Sequence, residues 1–488
     1  MAAPGVVVST AVRSGPTGTP RAASGQYFAV GITERGPIDK ATKINSLADF
    51  RRVYGERVTY GALFDDVAAF FEAGGTQAHV LRVAGAAAAV GTYTLTDGGG
   101  APAATIKVDA QNPGAWSGRL TIEVEVGSAG DDSRKVTLRL DGQVVEQYNN
   151  LLTVADIVNR FTASPYVRMS DMGSVSDAPM NLPAVSAATP LSAGTDDRAA
   201  INAALITTKL SLFTIGLGDG AVAAPGYGSS LHSALLSHAK AHRRVAILAG
   251  PRGSTAGDLA ALGLGLGAMS GAEYGGLFGP WVQVSDNAGG VRTISPEGFV
   301  AASRAKAHEQ FGPWQPAAGE GSISPYIIGT DVELSNADGI ALENARVSPI
   351  RVVAGRLRLY GWRSLSANET DYFSLTVADT LNRLVTECEL RLEPFVFKTI
   401  DGRGHLLSQM AGILIGVLEP IRSAGGLYER VVDGDVLDPG YSVDVSQAVN
   451  TVDTLAKNEV RAAVAARLSP NAQTITLTIV KVGLAAAV

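Results

Sequence analysis

Hydrophobic and polar positions alternate with a period of two at the C-terminal end of the chain, follow helical spacing in several stretches before it, and give way to a β-branched run at the N-terminal end. Residues 5–12 read GVVVSTAV, rich in β-branched side chains that favour a pleated strand. Ser14, Gly15, Pro16, Thr17, Gly18, Thr19 and Pro20 follow, a run of turn formers that ends any regular element. No second strand lies within hairpin distance. Residues 474–482 read TITLTIVKV, the strongest alternation in the chain. Ile475, Leu477 and Ile479 share one face there, and Thr474, Thr476 and Thr478 the other. A strand without a local partner leaves N–H and C=O groups free to pair with another chain's sheet edge. Strands of this kind at both ends predict a protein woven into a polymer of itself.

Between these arms the pattern is that of a layered α/β protein. Residues 26–32 (QYFAVGI) predict a short buried strand, and residues 33–38 a turn. Ser46 and Asp49 have capping-box spacing ahead of a short helix that stops at Tyr54 and Gly55. Leu63, Phe64, Val67, Phe70 and Phe71 fall on one helical face. Gly74 and Gly75 end that helix, and residues 78–83 (AHVLRV) predict a strand. Residues 84–89 are a small-residue linker. From about Gly91 to Pro190 the texture changes to short alternating runs, at 104–108, 119–126 and 135–140, between Gly- and Asp-rich turns. With one helix at 153–161, this predicts a mainly β insertion that is exposed. The α/β material returns at 191–197, with strands at 212–215 and 245–248 and helices at 228–242 and 296–308. Pro296 suits the first turn of the last of these, and residues 273–284 hold aromatic strand material.

A final block starts near Val347. It contains helices at 372–390 and 404–421, a strand at 441–445, a helix at 452–468 and the terminal strand. The expected fold class is multidomain α/β. It comprises an arm at 1–25, an α/β core in two parts at 26–90 and 191–346, the β insertion at 91–190, and a C-terminal α+β domain at 347–488.

Composition narrows the function classes. The chain has 488 residues, 46% hydrophobic and 18% charged, which is globular rather than disordered. Its net charge of −6 carries no sequence-wide signal for nucleic acid or membrane surfaces. Cys388 is the single cysteine, so neither an intrachain disulfide nor a cysteine metal cluster can form. The N-terminus lacks the pattern of a secretory signal, and no uninterrupted apolar run is long enough for a membrane span. The closest, residues 256–269, is broken by glycine. Folding and assembly in the cytoplasm of the producing cell are expected.

Catalytic patterns are sparse. No Gly-Lys-Ser/Thr and no Gly-x-Ser-x-Gly occurs. Gly216, Gly218 and Gly220 follow a predicted strand but lack the offsets of a dinucleotide loop. His238 and His242 stand four apart on a predicted helix, with His232 before them, and no glutamate lies between as general base. A solvated helix face is expected for them. Asp196 and Asp197 read as a turn with a helix cap, and Cys388 as a buried inert thiol. No cofactor is expected, and no catalytic or metal site.

The ordered set of segments resembles the tail sheath proteins of contractile phage tails and contractile injection systems. The matching residues are Pro4 with Gly5, Val6, Val7 and Val8, then segments 30–37 (VGITERGP), 46–55 (SLADFRRVYG) and 70–83. Towards the other end they are Phe395, Val396 and Phe397, the helix after Arg403, Asp438, Pro439 and Gly440 with the strand they open, and the terminal strand. The insertion carries no match. The arm departs from the family pattern in holding Arg13 and Arg21 and no acidic residue.

The resemblance implies a non-enzymatic subunit of stacked six-membered rings that form a sleeve around an inner tube. The sleeve is built on a baseplate, is closed by a tail terminator, and contracts to drive the tube through a target envelope. Gly5, Val6, Val7, Val8, Thr10 and Val12, and Thr474, Ile475, Leu477, Ile479, Val480 and Val482, would then be exchanged between subunits and complete the inner domain of neighbours. Ser14, Gly15, Pro16, Gly18 and Pro20 would form the hinge. An α/β enzyme and a capsid or shell protein are the alternative readings, and a two-chain secretion sheath fits less well, because both arms and the inner domain lie in one chain.

Overall fold

The computed structural model describes residues 25–286 and 289–473. They form two compact units, the larger of residues 25–382 with 468–473 and the smaller of Arg383–Arg467.

The large unit opens with β1 (Tyr27–Gly31), β2 (Thr42–Ile44), α1 (Leu47–Tyr54), α2 (Leu63–Glu72) and β3 (Ala78–Arg82). The Ser46 hydroxyl accepts from the Asp49 amide at 3.1 Å and starts α1. Every residue of β1 and β3 is buried, as parallel strands covered on both faces must be. The insertion follows, with β4 (Thr92–Thr96), β5 (Ala104–Ala110), β6 (Leu120–Gly127), β7 (Gly130–Leu140), β8 (Gln143–Leu151), α3 (Val154–Arg160), β9 (Val167–Asp171) and β10 (Ser186–Pro190). Then come α4 (Ala203–Leu210), β11 (Gly220–Ala223), α5 (His232–His242), β12 (Arg244–Ala249), α6 (Ala256–Leu266), β13 (Gly275–Gly279), β14 (Val282–Ser285), β15 (Val291–Ile294) and α7 (Glu297–Gln310). Last are β16 (Ile327–Thr330), α8 (Asn336–Asn344), β17 (Val347–Val353), β18 (Arg356–Leu359) and the start of α9 (Leu375–Leu392).

One eight-stranded sheet organises this unit, in the order β18-β17-β13-β12-β11-β1-β3-β2. Its six inner strands are parallel, and the edge strands β18 and β2 run antiparallel to their neighbours. Alternation along β1 sends Tyr27 and Ala29 into one core with α2 and α7, and Phe28 and Val30 into a second core with α4, α5 and α6. Strand order reverses between β1 and β11, where open α/β sheets usually bind ligands. The segment ahead of α2 approaches closely there, and a side chain at Gly226, after β11, would meet Ala62 at 2.9 Å. A side chain at Gly61 would meet the Ile32 carbonyl at 2.6 Å, and Leu63 packs on Gly31.

The insertion is two antiparallel sheets, β4-β5-β9 and β10-β6-β7-β8. They share a third core with α3 that includes Ile106, Ile122, Leu138 and Ile157. Thr153 and Asp156 cap α3 reciprocally, at 3.0 Å each way.

Three expectations need correction. Residues 212–215 form a turn, with Phe213 buried in the core. The strand is GAVA at 220–223, where a side chain on Gly220 would meet the Gln26 carbonyl at 2.5 Å. That glycine serves close strand packing, not a phosphate loop. The helix expected over 452–468 stops at Ala456, and Ala463–Ala466 instead forms β22, pairing with β21 (Tyr441–Asp444). Asn450 holds this path: Arg461 N–H donates to its Oδ1 at 2.8 Å, and its Nδ2 donates to the Arg461 carbonyl at 2.8 Å. Finally, β17 and β18 belong to the main sheet, so residues 347–382 lie in the large unit and the division falls at Arg383.

Candidate assembly surfaces

The residues expected to be exchanged between subunits, within 5–12 and 474–482, and the hinge at 14–20, lie outside the described residues. The surfaces that bear on assembly are therefore those of the small unit, the insertion and its junction, and the root of the C-terminal segment.

In the small unit, the C-terminal part of α9 and α10 (His405–Ser423) precede β19 (Arg430–Val432), β20 (Asp435–Asp438), β21, α11 (Val452–Ala456) and β22. One face of α10 buries Leu406, Met410, Leu414, Leu418 and Ile421, the spacing of an amphipathic helix. The strands form two separate antiparallel pairs, β19-β20 and β21-β22. β19 is exposed throughout, and β20 and β22 are exposed at all but one residue. Two-stranded pairs are marginal alone, and their outer edges are sites for further strands. Of the thirty exposed large hydrophobic side chains among the described residues, twelve are in this unit, with Phe397 fully exposed. Exposed apolar side chains are thus denser in this unit than in the rest of the described chain. The Tyr441 hydroxyl donates to Glu419 at 2.8 Å and ties β21 to α10.

The junction of insertion and core rests on charged groups that sequence reading did not single out. The Arg82 guanidinium, 1% exposed at the end of β3, donates to Asp196 at 2.6 Å and to the carbonyls of Gly36 and Pro113 at 2.9 and 2.8 Å. Asp196 is itself buried. So of the two adjacent carboxylates, Asp196 closes this pair, while Asp197 accepts from the Ala87 amide at 2.9 Å. The two peptides that join the modules pair directly, Ala89 and Thr195 exchanging N–H···O bonds at 2.9 Å. The buried Arg35 guanidinium packs over Trp116 and Tyr166 of the insertion, 5.6 and 5.0 Å from their ring centres. The insertion is exposed but fastened. The available signal was an arginine inside a mostly apolar strand, AHVLRV.

The candidate chemical residues have structural roles. His232 and His238 are buried, which corrects the solvated face expected for them. The His232 ring bonds the Ala249 carbonyl at 3.1 Å, and the His238 ring the Arg244 guanidinium at 2.8 Å. Burial lowers the imidazole pKa of His232 to about 4, and burial with its charged neighbours that of His238 to about 3. Arg244 lies 3.7 Å over the Phe28 ring. Cys388 is half-buried, and burial raises its thiol. Asp66 of α2 and Glu297 of α7 are both buried, with the Tyr27 hydroxyl donating to Asp66 at 2.6 Å and Ser295 to Glu297. Burial raises both carboxyls, that of Glu297 to about 7. Arg304 of α7 and Asp379 of α9 form a buried pair at 2.6 Å, with His308 beside it. Burial alone would raise the Asp379 carboxyl, but Arg304 and His308 outweigh it and hold the carboxyl below its ordinary range. Among the described residues no group of three or more His, Cys, Asp or Glu is placed to hold a metal ion, and no helix is long and apolar enough to cross a membrane.

A cleft of about 860 Å3 opens beside β17, lined by Ile340 and Glu343 of α8, Arg351, Tyr360, Trp362 and residues 470–473. Burial, partly offset by Arg363, raises the Glu343 carboxyl to about 7.

Scanned against family models and against curated proteins, the sequence matches none. Its fold does match solved structures. A sheath tail protein from Listeria innocua superposes with a TM-score of 0.61 at 14% identity, covering 88% of this chain and 90% of that one. One from Desulfitobacterium hafniense gives 0.58 at 14% identity, over 90% and 93%. The helical sheath of the anti-feeding prophage in its contracted state gives 0.57 at 13% identity, over 98% of this chain and 99% of that one. Nearly end to end, the chain has the fold of the contractile sheath tail proteins.

Proposed function

We propose that this chain is the structural subunit of a contractile sheath, a homo-oligomer of stacked hexameric rings around an inner tube. The observation that carries this is the match over 98% of the chain to a helical sheath in its contracted state. The concentration of exposed apolar side chains and open strand pairs in residues 383–467 supports it. In this reading the C-terminal part of the chain is the inner domain. Its strand pairs receive the arm at 5–12 and the segment at 474–482 from neighbouring copies, so that rings stay linked while the hinge at 14–20 bends. The insertion forms the outside of the sleeve. Baseplate and terminator proteins bound it at its two ends, and the sleeve is assembled in the cytoplasm as part of a phage tail or injection particle, without insertion into a membrane and without binding nucleic acid.

No cofactor enters this mechanism. Energy would be stored at assembly as a difference in subunit packing between an extended and a contracted lattice, and released by a trigger at one end. Electron microscopy of the purified chain, alone and with its cognate tube protein, tests the proposal. Striated sleeves support it. Closed shells would favour a capsid protein, and small uniform oligomers with turnover an enzyme.

A further inference from the structure

The small unit is an excursion from the large one: the chain leaves after Asn382 and returns at Leu468. Three residues after the return, Asn471 is bound at both ends of its amide. Its Nδ2 donates to the Trp314 carbonyl at 3.1 Å, and its Oδ1 accepts from the Thr376 hydroxyl at 3.3 Å. Trp314 follows α7, and Thr376 is the second residue of α9. Both are buried. With neither end of the amide exchangeable for the other, the side chain has one orientation.

We propose that Asn471 is a positioning residue for strand exchange, fixing the point and direction from which residues 474–482 leave for a neighbouring copy. This rests on the sheath reading above. Thr474 is three residues on, within about 10 Å of chain, so a strand that begins there inherits the placement of its root. Placement matters because side chains alternate: a slip of one residue would turn Ile475, Leu477 and Ile479 from the apolar side to the polar side of the receiving sheet. A held root has also lost part of its conformational freedom before assembly, which lowers the entropic cost of docking. The same amide ties the root to the first turn of α9. Both departures of the chain from the large unit are therefore referenced to one point.

The test uses the full chain with its cognate tube protein and compares Asn471→Asp, Thr376→Val and Leu477→Asp. Asn471→Asp keeps size and the acceptor for Thr376, and loses the donor to Trp314. Thr376→Val keeps shape and loses the other bond, together with the hydroxyl's bond to Ser374 at 3.0 Å. Each should raise the critical concentration for sleeve formation, read by sedimentation and electron microscopy, by roughly two- to tenfold, the effect of one hydrogen bond. Any fall in the urea midpoint of the free subunit should be too small to account for that rise, a separation that a merely structural role would not produce. Leu477→Asp should abolish sleeves. Wild-type critical concentrations for both root variants beside a blocked Leu477→Asp would overturn the anchor alone. Normal sleeves from Leu477→Asp would overturn strand exchange itself, and the anchor with it. Should Asn471→Asp fail to fold, Thr376→Val decides.

Discussion

Replacing Glu297 with glutamine should stabilise the large unit at alkaline pH and leave it nearly unchanged in mild acid. Glu297 opens α7 and is buried, with its carboxyl raised to about 7 from an ordinary 4.5 because burial disfavours the charge. Buried Asp66 on α2 is raised as well, first by burial and then by Glu297, so the two titrate as a pair. The groups facing them are the Tyr27 hydroxyl on β1, the Ser295 hydroxyl, the Gly298 amide and, next to Asp66 on α2, Asp65, which is itself paired with Arg57 and Arg292.

A carboxyl whose folded pKa lies above its unfolded value contributes stability that is fully present below the unfolded pKa and is lost as pH rises through the folded one. The window here runs from about pH 4.5 to above 7. The shift corresponds to on the order of 3 kcal/mol at its upper end. Glutamine mimics the protonated acid and keeps an acceptor for Ser295, so it removes that loss. The buried histidines tilt the absolute curve the other way, because their lowered pKa values make acid costly. For that reason the informative quantity is the difference between variant and wild type. Urea unfolding followed by circular dichroism at pH 5, 6, 7 and 8 would measure it. The difference should be below about 1 kcal/mol at pH 5 and grow to favour Glu297→Gln by pH 8. Parallel curves across that range would refute the assignment of a buried, proton-sharing pair.

Arg82→Ala should destabilise the protein by roughly 3–5 kcal/mol, because it leaves Asp196 buried without its cation; hydrogen exchange should report the loosening at residues 84–91 and 191–197 first. Deleting residues 1–18 should leave a folded, soluble subunit that forms no sleeves, as seen by electron microscopy, and normal sleeves would remove the case for an exchanged N-terminal strand. In assembled particles a protease should cut the loops of the insertion before it cuts residues 383–467, and the opposite order would place the insertion inside.

Much of the fold was legible where one signal dominated. In β1 and β3 every residue is buried, and their mostly apolar runs showed it; Ser46 announced the helix it caps. The missed elements are those in which tertiary packing overrides local preference. GAVA at 220–223 has no periodicity to detect, only small side chains that let β1 and β11 approach. AVAA at 463–466 has helix-forming composition, yet pairing with β21 and the Asn450 side chain draw it out as a strand. Nothing local singled out the arginines at 82 and 304, since neither partner, Asp196 or Asp379, lies near in sequence. The assembly residues were inferred from unpaired strand patterns, whereas Asn471 carried no local pattern at all, because its partners lie 157 and 95 residues away.

The insertion has its own core, which shares no residue with the two cores of the main sheet. Mutations inside it therefore need compensate only one another. What its replacement must present to the core is narrow: a carbonyl for Arg82 where Pro113 stands, an aromatic floor for Arg35, a cation for Glu34 where Arg119 stands, and ends that meet the paired peptides at Ala89 and Thr195. The module can thus be traded for one of different sequence, as a cassette on a fixed socket, with the two cores of the main sheet left intact.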